Sequence, residues 1–398
     1  MSDEWGGIGR PAAGGSSRRP YPMLDGWVTP SDRAYPPSAS DVVETVRELS
    51  SRDLAPIVQK IDADAHYPET VMRAFGRAGA FACHLPGETP GGPDLVTANR
   101  AMAAAGEYCL STSFCMWCQN ALGWYIFASE NEELKAGLGR RVAVGEVLGG
   151  TALSNPMKAF FGIEQVRLKG TRVDGGYLVR GALPYVSNLG NDHYFGAVFE
   201  IADAPRRYVM TIVPCAAKGV KLSGNTRFVA LDGTRTFSVQ LRDVIIPDSF
   251  ILADPSDAFI KRIRAGFVLL QAGMGIGLIR SCIALMNQVK GPLGHVNKYL
   301  EVQPERLAEE LGAIEASVER LAVTPFETDQ AYWRSVLEAR LAVGETAVGA
   351  AHAAMLHCGA RGYVANATAQ RRLRESYFVA IVTPAIKQLK KMLADMAN

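Results

Sequence analysis

The chain has 398 residues, and 48% of them are hydrophobic, which is enough for a sizeable core and excludes a chain that is disordered throughout. Its 42 basic and 40 acidic residues nearly cancel, so the sequence offers no strong positive field for nucleic acid or for an anionic membrane. This balance favours small-molecule chemistry.

The seven cysteines are an odd number and do not suggest a disulfide framework. No signal peptide is visible at the N-terminus, so we expect a cytoplasmic protein with reduced thiols. The longest apolar run, residues 265–279, is shorter than the ~20 helical residues that span a bilayer. It predicts a buried helix and no membrane span.

Residues 1–39 are rich in Gly, Pro, Ser and Arg, a composition that predicts a disordered or loosely docked arm. A helical domain is predicted over residues 40–140. From Ser40 onward, apolar residues recur at helical spacing as far as Ile61, which predicts one long amphipathic helix with Ser40 or Asp41 as its N-cap.

Three more helical segments follow, over Pro68–Ala80, Leu95–Cys109 and a strongly apolar stretch that carries Cys115-x-x-Cys118. A single CxxC pair without nearby histidines is weak evidence for zinc. On an apolar helix, two small core residues are the favoured interpretation, and no metal site is predicted.

Residues 141–255 are dominated by strand signals and predict a central antiparallel β-barrel or sandwich. Within it, a polar turn is expected around Pro156. Two strand-length runs, Gln165–Lys169 and Tyr177–Arg180, flank an Asp-Gly-Gly turn at 174–176 and predict a β-hairpin. The segment ends on Pro184–Asn188, which brings together an aromatic ring, a hydroxyl and a carboxamide.

Residues 256–398 return to helical patterns. Four helices are predicted, over Asp257–Lys290, Glu305–Ala322, Phe326–Cys358 and Thr368–Ala397. Long helices joined by short turns suggest an up-and-down four-helix bundle. The first of them carries a GxGxG run at 273–277 with no preceding strand, which indicates close helix packing and not a dinucleotide site.

Several of these segments, in their order and spacing, resemble the acyl-CoA dehydrogenase family of flavoproteins. They are the stretch 152–156, the Gly-rich turn at 174–176, Tyr185-Val186-Ser187-Asn188, the Gly359–Tyr363 turn and the run 370–376. The resemblance covers roughly residues 40–393. It implies an α+β fold with an N-terminal helical domain, a central β-barrel or sandwich and a C-terminal four-helix bundle.

The resemblance also implies a site. FAD would lie against a wall that includes Leu153, Ser154, Tyr185, Val186 and Ser187. Gly359 and Gly362 are also implied to bind the cofactor. In the family, residues of a neighbouring subunit reach the FAD, so a homodimer or homotetramer is implied. The implied substrate is an acyl thioester carried by CoA or by an acyl carrier protein, and an electron-transfer flavoprotein or a flavin reductase is a possible partner.

The chain departs from the family at the catalytic base. The position of the family's glutamate holds Thr383, whose hydroxyl is far too weak a base to replace a carboxylate. Some members carry the glutamate on the first helix of the bundle, where this chain has Phe267. Thr383 and Phe267 are therefore assigned to the substrate pocket, and the catalytic residue is left unassigned: the chain is a divergent member that lacks the glutamate.

Other positions also differ. Asn155 replaces an acidic residue of the first motif, the family's Arg-x-x-Phe-Gly element is reduced to His295–Tyr299, and Leu356 replaces a glutamine. A relocated base could come from Glu345, His352 or His357, although a structural role is favoured for each of the three.

Three hypotheses follow. The first is a FAD-dependent acyl-thioester oxidoreductase with altered chemistry at the α-carbon. The second is a two-component reduced-flavin monooxygenase, since relatives of this fold that use oxygen need no catalytic glutamate. The third is a non-catalytic paralogue that binds thioesters or stabilises a partner.

Overall fold

The computed structural model describes residues 38–88, 92–224 and 226–397. Apart from Ser38 and Ala39, the arm predicted over residues 1–39 lies outside the described residues. The described chain runs through helices, a sheet and helices again, so the predicted three-part fold class is confirmed.

Helices make up the N-terminal region. They are α1 (Ala39–Leu49), α2 (Val58–Ala63), α3 (Glu69–Arg77), α4 (Leu95–Gly106), α5 (Leu110–Ala128), α6 (Glu132–Leu134) and α7 (Arg140–Ala143). The long first helix of the prediction is interrupted by a π-helical turn and a 3₁₀ turn between α1 and α2. Pro56 lies in that 3₁₀ turn and lacks the N–H that a continuous helix would use.

The N-cap prediction for this first helix was wrong. Neither Ser40 nor Asp41 caps it; Ser38 does, because its side chain accepts a hydrogen bond from the amide of Asp41. The interpretation of Cys115 and Cys118 as core residues is confirmed, since both side chains are buried within α5.

Among the described residues, the central sheet has eight strands: β1 (Gly149–Thr151), β2 (Lys169–Val173), β3 (Gly176–Val186), β4 (Tyr194–Ile201), β5 (Tyr208–Pro214), β6 (Val220–Ser223), β7 (Phe237–Pro247) and β8 (Ile251–Ala253). Their order is β6-β7-β3-β2-β4-β5-β8, with β1 beside β4. The pairs β1–β4 and β2–β4 are parallel, so the sheet is mixed and open, not an antiparallel barrel.

The predicted hairpin is present, with one of its strands displaced. β2 and β3 pair antiparallel, and Gly175 takes the left-handed φ of +72° that the tight turn requires. The first strand was expected over Gln165–Lys169 but begins at Lys169. The register fixes this position, because Val173 lies opposite Gly176 at the turn.

The polar turn expected around Pro156 is a helix, α8 (Ser154–Phe160). Pro156 and Met157 are buried, so one side of this helix packs against the interior of the protein. Asn155 anchors the segment from inside: its amide donates to the Glu164 side chain, and its oxygen accepts from the amide of Arg167.

The C-terminal helices are α9 (Asp257–Leu269), α10 (Ala272–Gln288), α11 (Lys290–Asn297), α12 (Pro304–Ala322), α13 (Gln330–Cys358), α14 (Thr368–Ile381) and α15 (Ile386–Asp395). Two predicted helices are therefore divided, the first at Leu270–Gln271 and the last at Val382–Ala385. The apolar stretch Asp257–Gln288 has the length and composition of a membrane span, but most of it is buried within the protein as α9 and α10.

Glycines let α10 approach its neighbours, as the sequence predicted. A Cβ at Gly273 would overlap the carbonyl oxygen of Asn99, and one at Gly277 would overlap that of Ala103, both on α4. The helices that precede the sheet in the chain and those that follow it share one continuous apolar core. The sheet has a second apolar core of its own.

Candidate functional site

The predicted cofactor wall lies at the end of β3. Tyr185 is 58% exposed, and its ring edge contacts the ring of Phe228 at a centroid separation of 5.7 Å. Ser187 is buried, and its hydroxyl hydrogen-bonds to the hydroxyl of Thr236 at 2.6 Å. The wall therefore presents one aromatic face to the outside and holds its hydroxyl group in place from behind.

Asn188 fixes the direction of the chain just after this wall. It adopts a left-handed φ of +62°, which asparagine tolerates better than most residues. Both ends of its carboxamide are hydrogen-bonded, since it accepts from the Tyr67 hydroxyl at 2.6 Å and donates to the Gly149 carbonyl at 2.6 Å. Tyr67 belongs to the N-terminal region, so the wall is tied to the helices as well as to the sheet.

The wall region and the base position meet directly. The hydroxyl of Ser154, at the start of α8, lies 2.8 Å from the hydroxyl of Thr383, between α14 and α15. Ser154 is exposed, whereas Thr383 is buried. Residues 229 positions apart are thus joined at one point between the sheet and the C-terminal helices.

The backbone of Thr383 is held by a buried polar relay that sequence reasoning missed. Gln271, at the break between α9 and α10, donates to the Thr383 carbonyl at 2.8 Å. Arg340 on α13 donates to the Gln271 side-chain oxygen at 2.7 Å and to the Val379 carbonyl at 2.6 Å. Arg340 is 2% exposed, and its burial lowers the pKa of the guanidinium to about 10.

Phe267, the other residue assigned to the pocket, is buried on α9. Its ring lies between those of Trp117 and Tyr125, with centroid separations of 5.1 Å and 6.0 Å. One helical turn further on, Gln271 holds Thr383. Phe267 is thus linked to Thr383 through Gln271, and the assignment of both residues to one substrate pocket stays a prediction.

A wide cleft of about 880 Å³ lies elsewhere, around Tyr177 and Asp254. Tyr177 is eight residues from Tyr185 along β3, about 26 Å at the usual rise of a strand. Its two arginines, Arg172 and Arg207, are already paired with Asp248 and Asp254. None of the predicted site residues lines this cleft.

Comparison with known proteins points to one family. Residues 36–146 match the model of the acyl-CoA dehydrogenase N-terminal domain. Benzylmalonyl-CoA dehydrogenase of Aromatoleum aromaticum is 22% identical over 367 residues, which span 89% of this chain and 96% of that protein. Together these matches support membership of the acyl-CoA dehydrogenase family, and with it the activity of a flavin-dependent oxidoreductase.

Solved structures show the same fold. A glutaryl-coenzyme A dehydrogenase in complex with glutaryl-CoA matches with a TM-score of 0.78 at 20% identity, over 89% of this chain and 94% of that one. A dibenzothiophene monooxygenase from Paenibacillus sp. A11-2 matches with a TM-score of 0.74 at 14% identity, over 89% and 96%. A dehydrogenase and a monooxygenase therefore share the fold of this chain.

The residues around the wall fit a flavin ring better than a phosphate. Tyr185 offers an exposed aromatic face, and Ser154 offers an exposed hydroxyl. Leu153 and Val186 have buried side chains, so only their backbone could contact a cofactor. Both ends of the Asn155 carboxamide form hydrogen bonds within the protein, so this side chain is not available to a ligand.

Gly359 and Gly362 are not brought to this wall within one chain. They lie before the start of α14, whereas Thr383 follows its end, about 20 Å away along a helix of 14 residues. A Cβ at Gly362 would press on Cys358, so this glycine serves helix packing; Gly359 has a φ of +57° and ends α13.

The alternative bases are placed in structural or surface roles. Glu345 forms a surface ion pair with Lys390, and His352 is exposed. His357 is buried with its ring Nε2 2.9 Å from the Val302 carbonyl oxygen. The nearby acid on α14, Glu375, is buried between Arg371 and Arg372, which lower the pKa of its carboxyl and hold it as a structural anion.

Proposed function

We propose that this chain is a FAD-dependent oxidoreductase of an acyl thioester, with chemistry at the α-carbon altered because Thr383 stands where the family carries its base. The contact between Ser154 and Thr383 supports the proposal most directly. It brings the flavin wall and the base position to one point, as binding of a flavin and a thioester side by side would require.

The Thr383 hydroxyl can orient a substrate but cannot remove its α-proton. Its hydroxyl can donate to a carbonyl oxygen or accept from Ser154, while its backbone carbonyl is occupied by Gln271. Bound FAD would supply the hydride acceptor of the family's chemistry. With a hydroxyl in place of a carboxylate, we expect saturated acyl thioesters to bind without losing the α-proton at a useful rate.

The experiment compares wild type with Thr383→Glu and with Thr383→Gln, a variant of similar size without the charge. Each protein is loaded with FAD and titrated anaerobically with butyryl-CoA while its visible spectrum is recorded. Wild type and Thr383→Gln should show a shifted flavin band without bleaching. Thr383→Glu should bleach, because it restores a base at the position that faces the wall.

Two results would contradict the proposal. If wild type neither retains FAD nor binds it when it is added, the chain acts without flavin, as a paralogue that binds thioesters or supports a partner. If FAD binds but butyryl-CoA leaves every spectrum unchanged, the substrate is not an acyl thioester.

A reduced-flavin monooxygenase is the second candidate. The structural similarity to dibenzothiophene monooxygenase supports it, as does the placement of Glu345 and Glu375 in ion pairs away from Thr383. It predicts that reduced flavin binds at least ~10-fold more tightly than oxidised flavin and that a flavin reductase is the partner. Equal affinity for both forms would exclude it.

The proposal extends to the assembly and its setting. Gly359 and Gly362, with the exposed Tyr363, lie where a second subunit could present its cofactor, so we propose a homodimer or homotetramer. We also propose a cytoplasmic protein, with an electron-transfer flavoprotein as the acceptor if the chemistry is dehydrogenation.

A further inference from the structure

Three hydroxyl groups, those of Ser187, Thr236 and Thr234, form a chain of hydrogen bonds behind the predicted cofactor wall. We call this chain the hydroxyl relay. The oxygens of Ser187 and Thr236 are 2.6 Å apart, and those of Thr236 and Thr234 are 2.8 Å apart. At its far end the relay meets the backbone, because the Thr234 hydroxyl donates to the Leu231 carbonyl at 2.7 Å.

The carbonyl end fixes the direction of every hydrogen bond in the relay. A hydroxyl group has one hydrogen, and Thr234 uses its hydrogen on Leu231, since a carbonyl oxygen can only accept. Thr236 must then donate to Thr234, and Ser187 must donate to Thr236. The Ser187 oxygen is left with lone pairs alone, so it is an acceptor and not a donor for a ligand at the wall.

Reversal of the relay is opposed by its surroundings. The 3₁₀ turn Asp232–Thr234 is tied to the wall, because the Thr234 carbonyl accepts from the amide of Asn188 at 2.9 Å. The same turn packs closely on α2, where a Cβ at Gly233 would overlap Ile61. Reversal would therefore break the buried bond to Leu231 without a shift of the turn to replace it.

Ser187 lies beside the exposed part of the wall, whereas Thr234 lies in the interior. Ser187 follows the exposed Tyr185 by two residues, with the buried Val186 between them, so Tyr185 and Ser187 face the same side of the chain. Ser187 is 8% exposed and Thr234 is 1% exposed. A cofactor against Tyr185 would therefore meet the Ser187 oxygen and not Thr234.

An acceptor at this place distinguishes the two oxidation states of a flavin. In oxidised flavin the ring nitrogen N5 carries only a lone pair, and the two ring carbonyls are acceptors as well. Two-electron reduction places a hydrogen on N5, which becomes a donor, whereas the N3–H group is present in both states. An oxygen without a free hydrogen faces a like group in oxidised flavin and a partner in reduced flavin.

We infer that the hydroxyl relay makes Ser187 an acceptor for the N5–H group of reduced FAD, so that the chain binds reduced FAD more tightly than oxidised FAD. Thr234 is then a positioning residue that acts through Thr236. The inference rests on the proposed flavin function and adds to it the preferred oxidation state of the cofactor. It suits both candidate reactions, because it favours uptake of a hydride and equally the retention of flavin that a reductase supplies.

The test removes the hydroxyl at the far end of the relay. Thr234→Val keeps the size of the side chain but releases the hydrogen of Thr236, which can then donate to Ser187, so that Ser187 can donate to the cofactor. Thr234→Ser keeps the relay. Thr211→Val is the matched control, because Thr211 is also 1% exposed and its hydroxyl donates to the Phe250 carbonyl at 2.9 Å, outside the relay.

Each protein is titrated with FAD, once oxidised and once reduced with dithionite under argon. Wild type, Thr234→Ser and Thr211→Val should bind reduced FAD at least ~10-fold more tightly than oxidised FAD. Thr234→Val should lower this ratio about 5–10-fold. The midpoint potential of bound FAD gives a second readout, since a tenfold change in the ratio equals about 30 mV for a two-electron couple.

A second variant covers the case in which Thr234→Val does not fold. Thr236→Val, at a partly exposed position, breaks the relay at its middle and frees the hydrogen of Ser187. It should lower the ratio by the same factor, about 5–10-fold.

The outcomes separate the inference from the function beneath it. If wild type binds both forms of FAD equally, if Thr234→Val keeps the wild-type ratio, or if Thr211→Val lowers the ratio as much, the relay does not select an oxidation state and the inference fails. If FAD binds in neither state to wild type or to any variant, the proposed flavin function itself is wrong and the inference fails with it.

Discussion

Arg340 is a buried cation whose two hydrogen-bond acceptors, the Gln271 side chain and the Val379 carbonyl, are both neutral. In the part of the chain that the structure describes, its Nη1 has no hydrogen-bond partner. Desolvation of a charge without a counter-ion is unfavourable, and the lowered pKa expresses this. Without the Arg340 side chain, however, the Gln271 side-chain oxygen and the Val379 carbonyl would lose the hydrogen bonds that it donates.

We expect the loss of these hydrogen bonds to outweigh the relief of desolvation when Arg340 is replaced. Arg340→Met should lower the free energy of unfolding by about 1–3 kcal/mol, the cost of leaving buried acceptors unsatisfied. Arg334→Met, on the same helix but in a surface pair with Glu338, should change it by less than about 0.5 kcal/mol. Urea denaturation measures both. A more stable Arg340→Met would mean that relief of desolvation outweighs the lost bonds.

His84 gives a prediction for pH. It is fully buried, its Nε2 lies 2.9 Å from the Asn120 carbonyl oxygen, and burial lowers the pKa of the ring from 6.5 to about 4. Between these pH values the unfolded chain binds more protons at this residue than the folded chain. The neutral ring therefore favours folding above pH 6.5, and that contribution is lost as pH falls towards 4.

His84→Gln should remove up to about 3 kcal/mol of this pH dependence, since glutamine can donate to the same carbonyl but does not titrate. The measurement is the difference in unfolding free energy between variant and wild type at pH 7 and pH 4.5. His352→Gln, at an exposed position, is the control and should leave the difference flat. An equal pH dependence in all three proteins would contradict the prediction.

At the scale of residues, the sequence could predict individual site residues but not the long-range contacts between them. Tyr185, Ser187 and Thr383 were predicted from the family resemblance, and the structure shows that the hydroxyl of Thr383 contacts that of Ser154. Gln271 and Arg340 were missed because they act through contacts between residues 69 and 112 positions apart. A lone arginine or glutamine on an apolar helix gives no local signal of such a contact.

Among the elements, periodic segments were predicted well and the breaks within them were not. The helix α12 lies close to its predicted position because its helical spacing is strong. α8 was mistaken for a turn, since its polar start and Pro156 are typical of loops. Burial of Met157, which the sequence does not reveal, favours the helix.

Helix packing around α10 can be tested with a pair of glycines. Gly277→Ala would place a methyl group against the Ala103 carbonyl on α4, so we expect a loss of about 2–4 kcal/mol in unfolding free energy. Gly312→Ala, on α12 with open space around it, should instead gain about 0.5–1 kcal/mol from helix propensity. Equal effects at both sites would show that α10 can move away from α4.

For the whole molecule, the order of helices, sheet and helices could be predicted, but the parallel pairs of the sheet could not. β2 and β4 are parallel neighbours although β3 lies between them in the sequence. Strand signals specify which residues pair locally in a hairpin. They do not specify which strands become neighbours after longer connections.

Arg374 links three parts of the chain. From α14 it donates to the Asp62 carboxylate on α2 at 3.0 Å and to the Val229 carbonyl, in the segment between β6 and β7, at 2.9 Å. The side chains of Arg374 and Asp62 are 28% and 11% exposed, so water screens this pair less than a surface pair. Such a contact should couple both helical regions and the sheet.

A double-mutant cycle with Arg374→Met and Asp62→Asn tests this coupling. We expect an interaction energy of about 1–3 kcal/mol, as for hydrogen bonds to charged groups, with little dependence on salt. The same cycle at Arg47→Met and Glu44→Gln, an exposed pair within α1, should give less than about 0.5 kcal/mol and fall further in salt. If the two cycles agree, apolar packing alone holds the helical regions and the sheet together, and Arg374 is a surface residue in energetic terms.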